Sequence, residues 1–163
     1  MELFDLVDVD DNIIGVTNKK EAHATGKLHR VGAVYLFDSK GRLYVQVHKS
    51  SGGLYDHSVG GHISQGETYA EGTKREAREE LGITQPLEEL SIFYSDEGPK
   101  LQHMFGLYTC VADPTWEFIP NEEVDEIIPM EISVIRDLMN EEPQRFTRGF
   151  INTMSEYTRL KDE

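Results

Sequence analysis

Gly61-His62-Ile63-Ser64-Gln65-Gly66-Glu67-Thr68-Tyr69-Ala70-Glu71-Gly72-Thr73-Lys74-Arg75-Glu76-Ala77-Arg78-Glu79-Glu80-Leu81-Gly82-Ile83 is the stretch on which the reading of this chain turns. Residues 68–81 are rich in Ala, Glu, Lys and Arg, and Gly82 stands where a C-terminal cap belongs, so a helix is predicted there. Gly72 inside it costs about 1 kcal/mol relative to alanine, which implies a packing reason for the missing side chain. Glu76, Glu79 and Glu80 stand at i, i+3 and i+4, so their carboxylates share one helical face. Like charges at these spacings repel. Lys74, Arg75 and Arg78 are nearby and solvent screens exposed charge, so on spacing alone a solvated acidic face is the plainer account.

The surroundings of the helix favour a different account. Hard dications prefer carboxylate oxygens, and magnesium takes one or two of them together with waters and substrate phosphates. Gly60-Gly61 just upstream is read as a glycine turn that lets backbone approach a ligand and exposes a carbonyl as a further hard ligand. Glu67 sits near the helix N-terminus, where the dipole favours a carboxylate.

Gly61, Glu67, Arg75-Glu76, Glu79-Glu80, Leu81 and Gly82-Ile83, at these spacings, resemble the Nudix box, with Ala77 the one departure, where a larger aliphatic is usual. The resemblance implies an α+β fold, the Nudix α/β/α sandwich with a mixed β-sheet between helices. It also implies hydrolysis of a diphosphate linked to some other moiety, such as a nucleoside-diphosphate derivative, with magnesium, or manganese in its place. Carried onto this chain, Glu79 and Glu80 are the principal metal ligands, joined by Glu76 and the Gly60 carbonyl. Arg75 orients the carboxylates by salt bridge and Glu67 pins the loop, with Gly61 and Gly82 as structural positions of the box. The general base is either a box glutamate or an acid in a later loop, where Glu122 and Glu123 follow Pro120-Asn121.

Upstream, Leu6-Val7-Asp8-Val9-Asp10, Ile14-Gly15, Leu28-His29-Arg30 and Asp56-His57-Ser58-Val59-Gly60-Gly61-His62 resemble the Nudix branch containing isopentenyl-diphosphate isomerase and its hydrolase relatives. That isomerase carries a catalytic cysteine in the strand before the box, where this chain has Gly60. It also uses a later acidic pair, where this chain reads Leu101-Gln102-His103-Met104. Hydrolysis is therefore the expected reaction, with an isomerase or a non-catalytic diphosphate-binding domain as the alternatives. The isomerase uses histidines near His23, His29 and His62 for its metal, but isolated hydrogen-bonded side chains are the plainer reading of these three.

Outward from the box, Phe4 to Val9 and Ile13 to Val16 read as a hairpin around Asp10-Asp11-Asn12, and Lys19 to Gly26 as a short helix or loop. Val31 to Phe37 and Leu43 to His48 read as a second hairpin across Asp38-Ser39-Lys40-Gly41. Ser50 to Gly53 reads as a loop, and Tyr55 to Val59 as a short strand running into the glycines. Further strands are expected over 90–94, 104–111 and 126–129, and helices over 131–139 and 145–161. Trp116-Glu117-Phe118 offers either an aromatic platform or packing. Lys49, Lys100, Arg145 and Arg148 are candidate phosphate contacts.

The 163 residues fit a single domain over 1–163, and 38% apolar content lies clear of the disordered regime. Thirty acidic against sixteen basic residues give a charge of −14, which argues against nucleic-acid polymers as partners, since these are bound by neutralising phosphates. A small anionic diphosphate substrate then needs a local cation. No apolar run reaches the ~20 residues of a membrane helix and no signal sequence is visible, so a cytoplasmic location without membrane contact is expected. The single Cys110 excludes an internal disulfide. Monomer and homodimer are both open.

Overall fold

The computed structural model describes residues 1–48 and 52–162. Lys49 and the first part of the Ser50–Gly53 loop lie outside the described residues. Strands β1 (Leu3–Val7) and β2 (Ile13–Asn18) lead to helix α1 (Lys19–Thr25), then β3 (His29–Phe37) and β4 (Leu43–His48). Strands β5 (Leu54–Asp56) and β6 (Val59–His62) precede helix α2 (Tyr69–Leu81). After it come β7 (Glu88–Asp96), β8 (Gln102–Val111), β9 (Ile127–Met130), α3 (Ile132–Glu141), a 3-10 turn (Pro143–Arg145) and α4 (Arg148–Lys161).

β3 is the hub of a nine-stranded mixed sheet. It runs parallel to β8 along its whole length, and antiparallel to β6 and, by one pair each, to β1 and β4. Its residues are buried on both faces, which is why it reads as a nearly unbroken apolar run rather than as an alternation. Val31, Ala33 and Tyr35 pack with Ile135, Phe146, Phe150 and Met154 from the α3–α4 side. Val34 and Leu36 pack with Ile63, Ala77 and Leu81 from the α2 side. Helices on both faces of one mixed sheet make the α/β/α sandwich expected from the box. Among the described residues no helix is long and apolar enough to cross a membrane.

Several local expectations are corrected. β3 and β4 are antiparallel neighbours across the expected turn, but their pairing is confined to Phe37 and Leu43, because β3 continues beside β6 and β8 while β4 pairs with β5 and β9. The single strand expected over 55–59 is two strands serving different partners, Tyr55 opposite Val47 and Val59 opposite Val34. Gly60 and Gly61 do not form a turn; they lie in β6, opposite Ala33 and Gly32. The first strand stops at Val7 because Asp8 Oδ1 accepts from the amides of Asp10 and Asn12, both at 2.9 Å, and so closes a turn. The last helix begins at Arg148, not Arg145, since the Thr147 hydroxyl accepts from the Phe150 amide as an N-cap.

Candidate functional site

Helix α2 is fastened at both ends. Thr68 and Glu71 form a reciprocal capping box, and Gly82, at φ 65°, returns its amide to the last turn. Three glycines then let the helix approach its neighbours closely. A Cβ on Gly32 would overlap Thr73, and one on Gly61 would overlap the Glu76 carboxyl. One on Gly72 would lie 2.6 Å from Ile63 Cδ1, which is the packing reason its presence in a helix implied. β6 and α2 are therefore pressed together with Glu76 directly over Gly61.

Gly60, Gly61, Glu76 and Glu80 line a cavity of about 280 Å³, together with Glu123 and a wall that includes Gln46, His48 and Asp56. Glu76, Glu80 and Glu123 each bring a carboxylate oxygen within 4.8 Å of the others. The loop holding Glu123 is pinned by buried Val124, and Asn121 Nδ2 donates to the Glu80 carbonyl at 2.8 Å. Glu79 lies apart from this group. Its side chain is 46% exposed and meets Arg75 Nη1 at 3.4 Å. Glu122 is also outside the group.

Arg75 acts as a clamp. Its Nε and Nη2 donate to the two oxygens of Glu67, each at 2.9 Å, Nη1 donates to Glu76 at 2.9 Å, and Nη2 reaches the His62 carbonyl at 3.1 Å. Hydrogen bonding to Arg75 holds the Glu67 carboxyl below its usual range. Glu67 also accepts from the Ser64 amide at 2.8 Å, which ties down the loop before the helix.

Glu76 and Glu80 are shifted the other way. Burial raises the Glu80 pKa well above the ordinary carboxylate range, opposed by a 2.8 Å hydrogen bond from Gln46 and another from the Gly60 backbone. Burial also raises Glu76, which shares a hydrogen bond with Glu80. Glu76 and Glu80 stand four residues apart on one helical face, and burial disfavours the charged form of each even with Arg75 beside Glu76. Beside them His48 Nε2 stands 3.0 Å from Asp56 Oδ2, and this contact raises the histidine pKa. Burial works to raise Asp56, but His57 and His48 overcome it and keep the carboxylate charged. His57 in turn bonds Thr153, whose hydroxyl meets Tyr35.

A second cluster adjoins the cavity and shares His62 with its lining. His23, His29, His62 and His103 each place a ring nitrogen within 4.8 Å of the others. Phe4 stacks on His29 and His62. Burial lowers the His29 pKa to about 4 and the His62 pKa to about 3, so both rings are neutral near pH 7. The three histidines read as isolated side chains in the sequence are thus brought together, with a fourth.

Other expectations resolve against the geometry. Lys100, Arg145 and Arg148 do not line the carboxylate cavity, and Arg145 is engaged with Tyr55 and Glu142. Trp116 packs edge-on against Tyr44 and donates to the Leu81 carbonyl at 2.8 Å, so it braces the end of α2. Sequence reasoning missed Gln46, His48 and Asp56 as wall residues. A polar residue at the buried position 46 of an otherwise apolar strand was the available signal. His103 stands where the isomerase resemblance places an acidic pair.

The chain matches the NUDIX domain over residues 27–150. It is 32% identical to an isopentenyl-diphosphate Delta-isomerase of Serratia proteamaculans, covering 95% of this chain and 90% of that one. It is 33% identical to an uncharacterized Nudix hydrolase of Yersinia pestis, covering 82% and 76%. A crystal structure of a Deinococcus radiodurans protein superposes with a TM-score of 0.70 at 27% identity, covering 86% of this chain and 90% of that chain. With the box helix, its cavity and the sandwich in place, this chain belongs to the Nudix family, in the branch that resembles isopentenyl-diphosphate isomerase.

Proposed function

We propose that the protein is a divalent-metal-dependent pyrophosphohydrolase acting on a small diphosphate, such as a nucleoside-diphosphate derivative. The observation that carries this reading is the convergence of Glu76, Glu80 and Glu123 on one cavity beside the Arg75 clamp. The donor set fits magnesium or manganese: hard oxygens, two of them on carboxyls whose ionisation burial disfavours and a dication would favour. A bound dication supplies Lewis acidity toward a phosphoryl oxygen and lowers the pKa of water.

The chain's own residues do the rest. Glu76 and Glu80 are the buried ligands, and Glu79 extends the set on the solvent side. Arg75 and Gly61 hold Glu76 in place, and Glu67 locks Arg75. Glu123, exposed on its loop, takes the proton from the attacking water. His48, its charge favoured by Asp56, offers the local cation that an anionic substrate needs in a chain of charge −14.

Isomerisation is the second reading, favoured by the Serratia relative's name and by the histidine cluster. Against it stands Gly60 in place of the cysteine that the resemblance requires. Cys110 is buried in β8 and borders a different cavity with Phe37 and Tyr157. The test is a panel of nucleoside diphosphates, sugar nucleotides, dinucleotides and isoprenoid diphosphates, with and without magnesium or manganese. Metal-dependent phosphate-ester products that vanish in Glu80→Gln support hydrolysis. Double-bond migration in an isoprenoid diphosphate without phosphorus release overturns it.

A further inference from the structure

We propose that the outer edge of β2 is a self-association surface, on which a second copy of this chain adds its own β2 antiparallel and continues the sheet. The inference does not depend on the hydrolase reading.

Among the described strands that have a single neighbour, only β2 and β7 are longer than four residues. An open edge presents unpaired amides and carbonyls, and it templates a further strand unless charge, proline or a cover blunts it. β7 is blunted. Glu88 and Glu89 stand at its start and Asp96 at its end, so antiparallel pairing with its own copy sets acid against acid. β2 has no such protection, since Ile13-Ile14-Gly15-Val16-Thr17-Asn18 holds neither a charged residue nor a proline.

The flanks of β2 favour its own copy. Asp10 and Asp11 precede the strand, and Lys19 and Lys20 follow it. Two such strands laid antiparallel bring the acidic end of each beside the lysine end of the other, and two-fold symmetry repeats the match. Asp10, Lys19 and Lys20 are exposed. In a chain of charge −14, this edge lets two copies approach with opposite rather than like charges facing. Apolar surface adds to the match. Ile14 and Val16 are 60% and 45% exposed, and Leu3, Val9 and Ile13 are further exposed large apolar residues of the same hairpin. Apolar side chains gathered on one hairpin, rather than scattered singly, mark an interaction site.

Backbone direction sets the register. The Val7 amide donates to the Leu28 carbonyl at 3.0 Å, and the Leu3 carbonyl accepts from the Gln65 amide at 2.8 Å. These residues of β1 therefore turn away from β2, while Phe4 and Leu6 turn toward it. Their partners Thr17 and Gly15 spend their backbone groups on β1, which leaves those of Val16 and Asn18 pointing outward. The register shift at Leu6 and Val7 twists the Ile13 end, so pairing centres on Val16, opposite Val16 of the second copy. A seam this short makes a weak, concentration-dependent dimer. It also braces the loop before α2, because β1 holds that loop through Leu3 to Gln65 and through the Asp5 carboxylate to the Gly66 amide at 3.2 Å.

The experiment is sedimentation of the untagged full chain from low micromolar to near-millimolar concentration. The expected result is a reversible monomer–dimer equilibrium that weakens as salt rises. Hydrogen exchange at the Val16 and Asn18 amides should slow at the dimer end of the range. Val16→Lys, which sets two like charges on the symmetry axis, should raise the Kd by about tenfold or more. Lys19→Glu with Lys20→Glu, which makes both ends acidic like those of β7, should also raise it, and adding Asp10→Lys should lower it again. Ile92→Lys on β7 should leave it unchanged. Circular dichroism of each variant beside the parent guards against misfolding. A parent that sediments as a single chain at every concentration overturns the proposal. So does a folded Val16→Lys with the parental Kd, or a dimer that Ile92→Lys dissociates.

Discussion

Asn121 Nδ2 donates to the main-chain carbonyl of Glu80 at 2.8 Å, so the loop that carries Glu123 is anchored to the helical turn that carries the deepest cavity carboxylate. The same side chain accepts from the amides of Glu123 and Val124, both at 2.9 Å. One amide thereby sets the distance between two acidic groups that are remote in sequence. Replacing Asn121 by Ala is expected to lower turnover by about tenfold to a hundredfold, the scale of a misplaced catalytic group. The stability loss should be near 1 kcal/mol per hydrogen bond removed. Steady-state kinetics beside thermal unfolding checks this, and the effect should largely disappear in a Glu123→Gln background.

Gly61 is required by Glu76, not by backbone conformation. A methyl at position 61 would overlap the Glu76 carboxyl. Gly61→Ala should cost about 1–3 kcal/mol, the range for overpacking, and should weaken manganese binding measured by calorimetry. Gly41, away from the cavity, has open space around it but a φ of 79°, so Gly41→Ala should cost stability without lowering manganese affinity.

The raised pKa values of Glu76 and Glu80 fix a pH dependence. A carboxyl whose folded pKa lies above its unfolded value stabilises the fold below the unfolded pKa. That stability is lost as pH rises through the folded pKa. The metal-free protein should therefore lose Tm as pH increases from the ordinary glutamate range toward about 9. Saturating manganese should flatten that slope, and metal affinity should rise with pH because binding displaces a proton. Glu80→Gln should remove much of the slope in metal-free protein.

Arg75 and Glu67 behave oppositely. Glu67 has a depressed folded pKa, so its contribution is present above the unfolded value and fades as pH falls through the folded one. Arg75→Lys keeps the charge but not the two-pronged contact with Glu67, and should destabilise by about 1–3 kcal/mol at neutral pH. The deficit should shrink in acid, where Glu67 is protonated in both proteins. Urea unfolding at pH 7 and in acid measures it.

The parts of this fold that were legible in sequence are those specified locally. α2 declared itself through its composition, the Gly82 cap and the carboxylate spacing. Its turn-by-turn pattern needs no distant partner. Glu123 was reachable as an acid in a loop, though nothing local said that Asn121 would tie it to Glu80. The division of 54–62 into two strands was not legible, because Tyr55 and Val59 differ only in which distant strand they meet. How soon β3 and β4 part was hidden for the same reason: turn chemistry at Asp38 to Gly41 specifies the reversal, not how far pairing continues. His103 was invisible as a partner of His29 because the parallel register of two strands far apart in the sequence decides that contact.

The parallel seam between β3 and β8 has a consequence for biosynthesis. His29 leaves the ribosome long before His103, and parallel pairings that close long loops form late. During that interval the N-terminal strands expose an unsatisfied sheet edge and an incomplete set of imidazoles. Pairing of β8 with β3 covers that edge and supplies His103, so a nascent chain truncated before Gln102 should be cut by proteases more readily than the full chain.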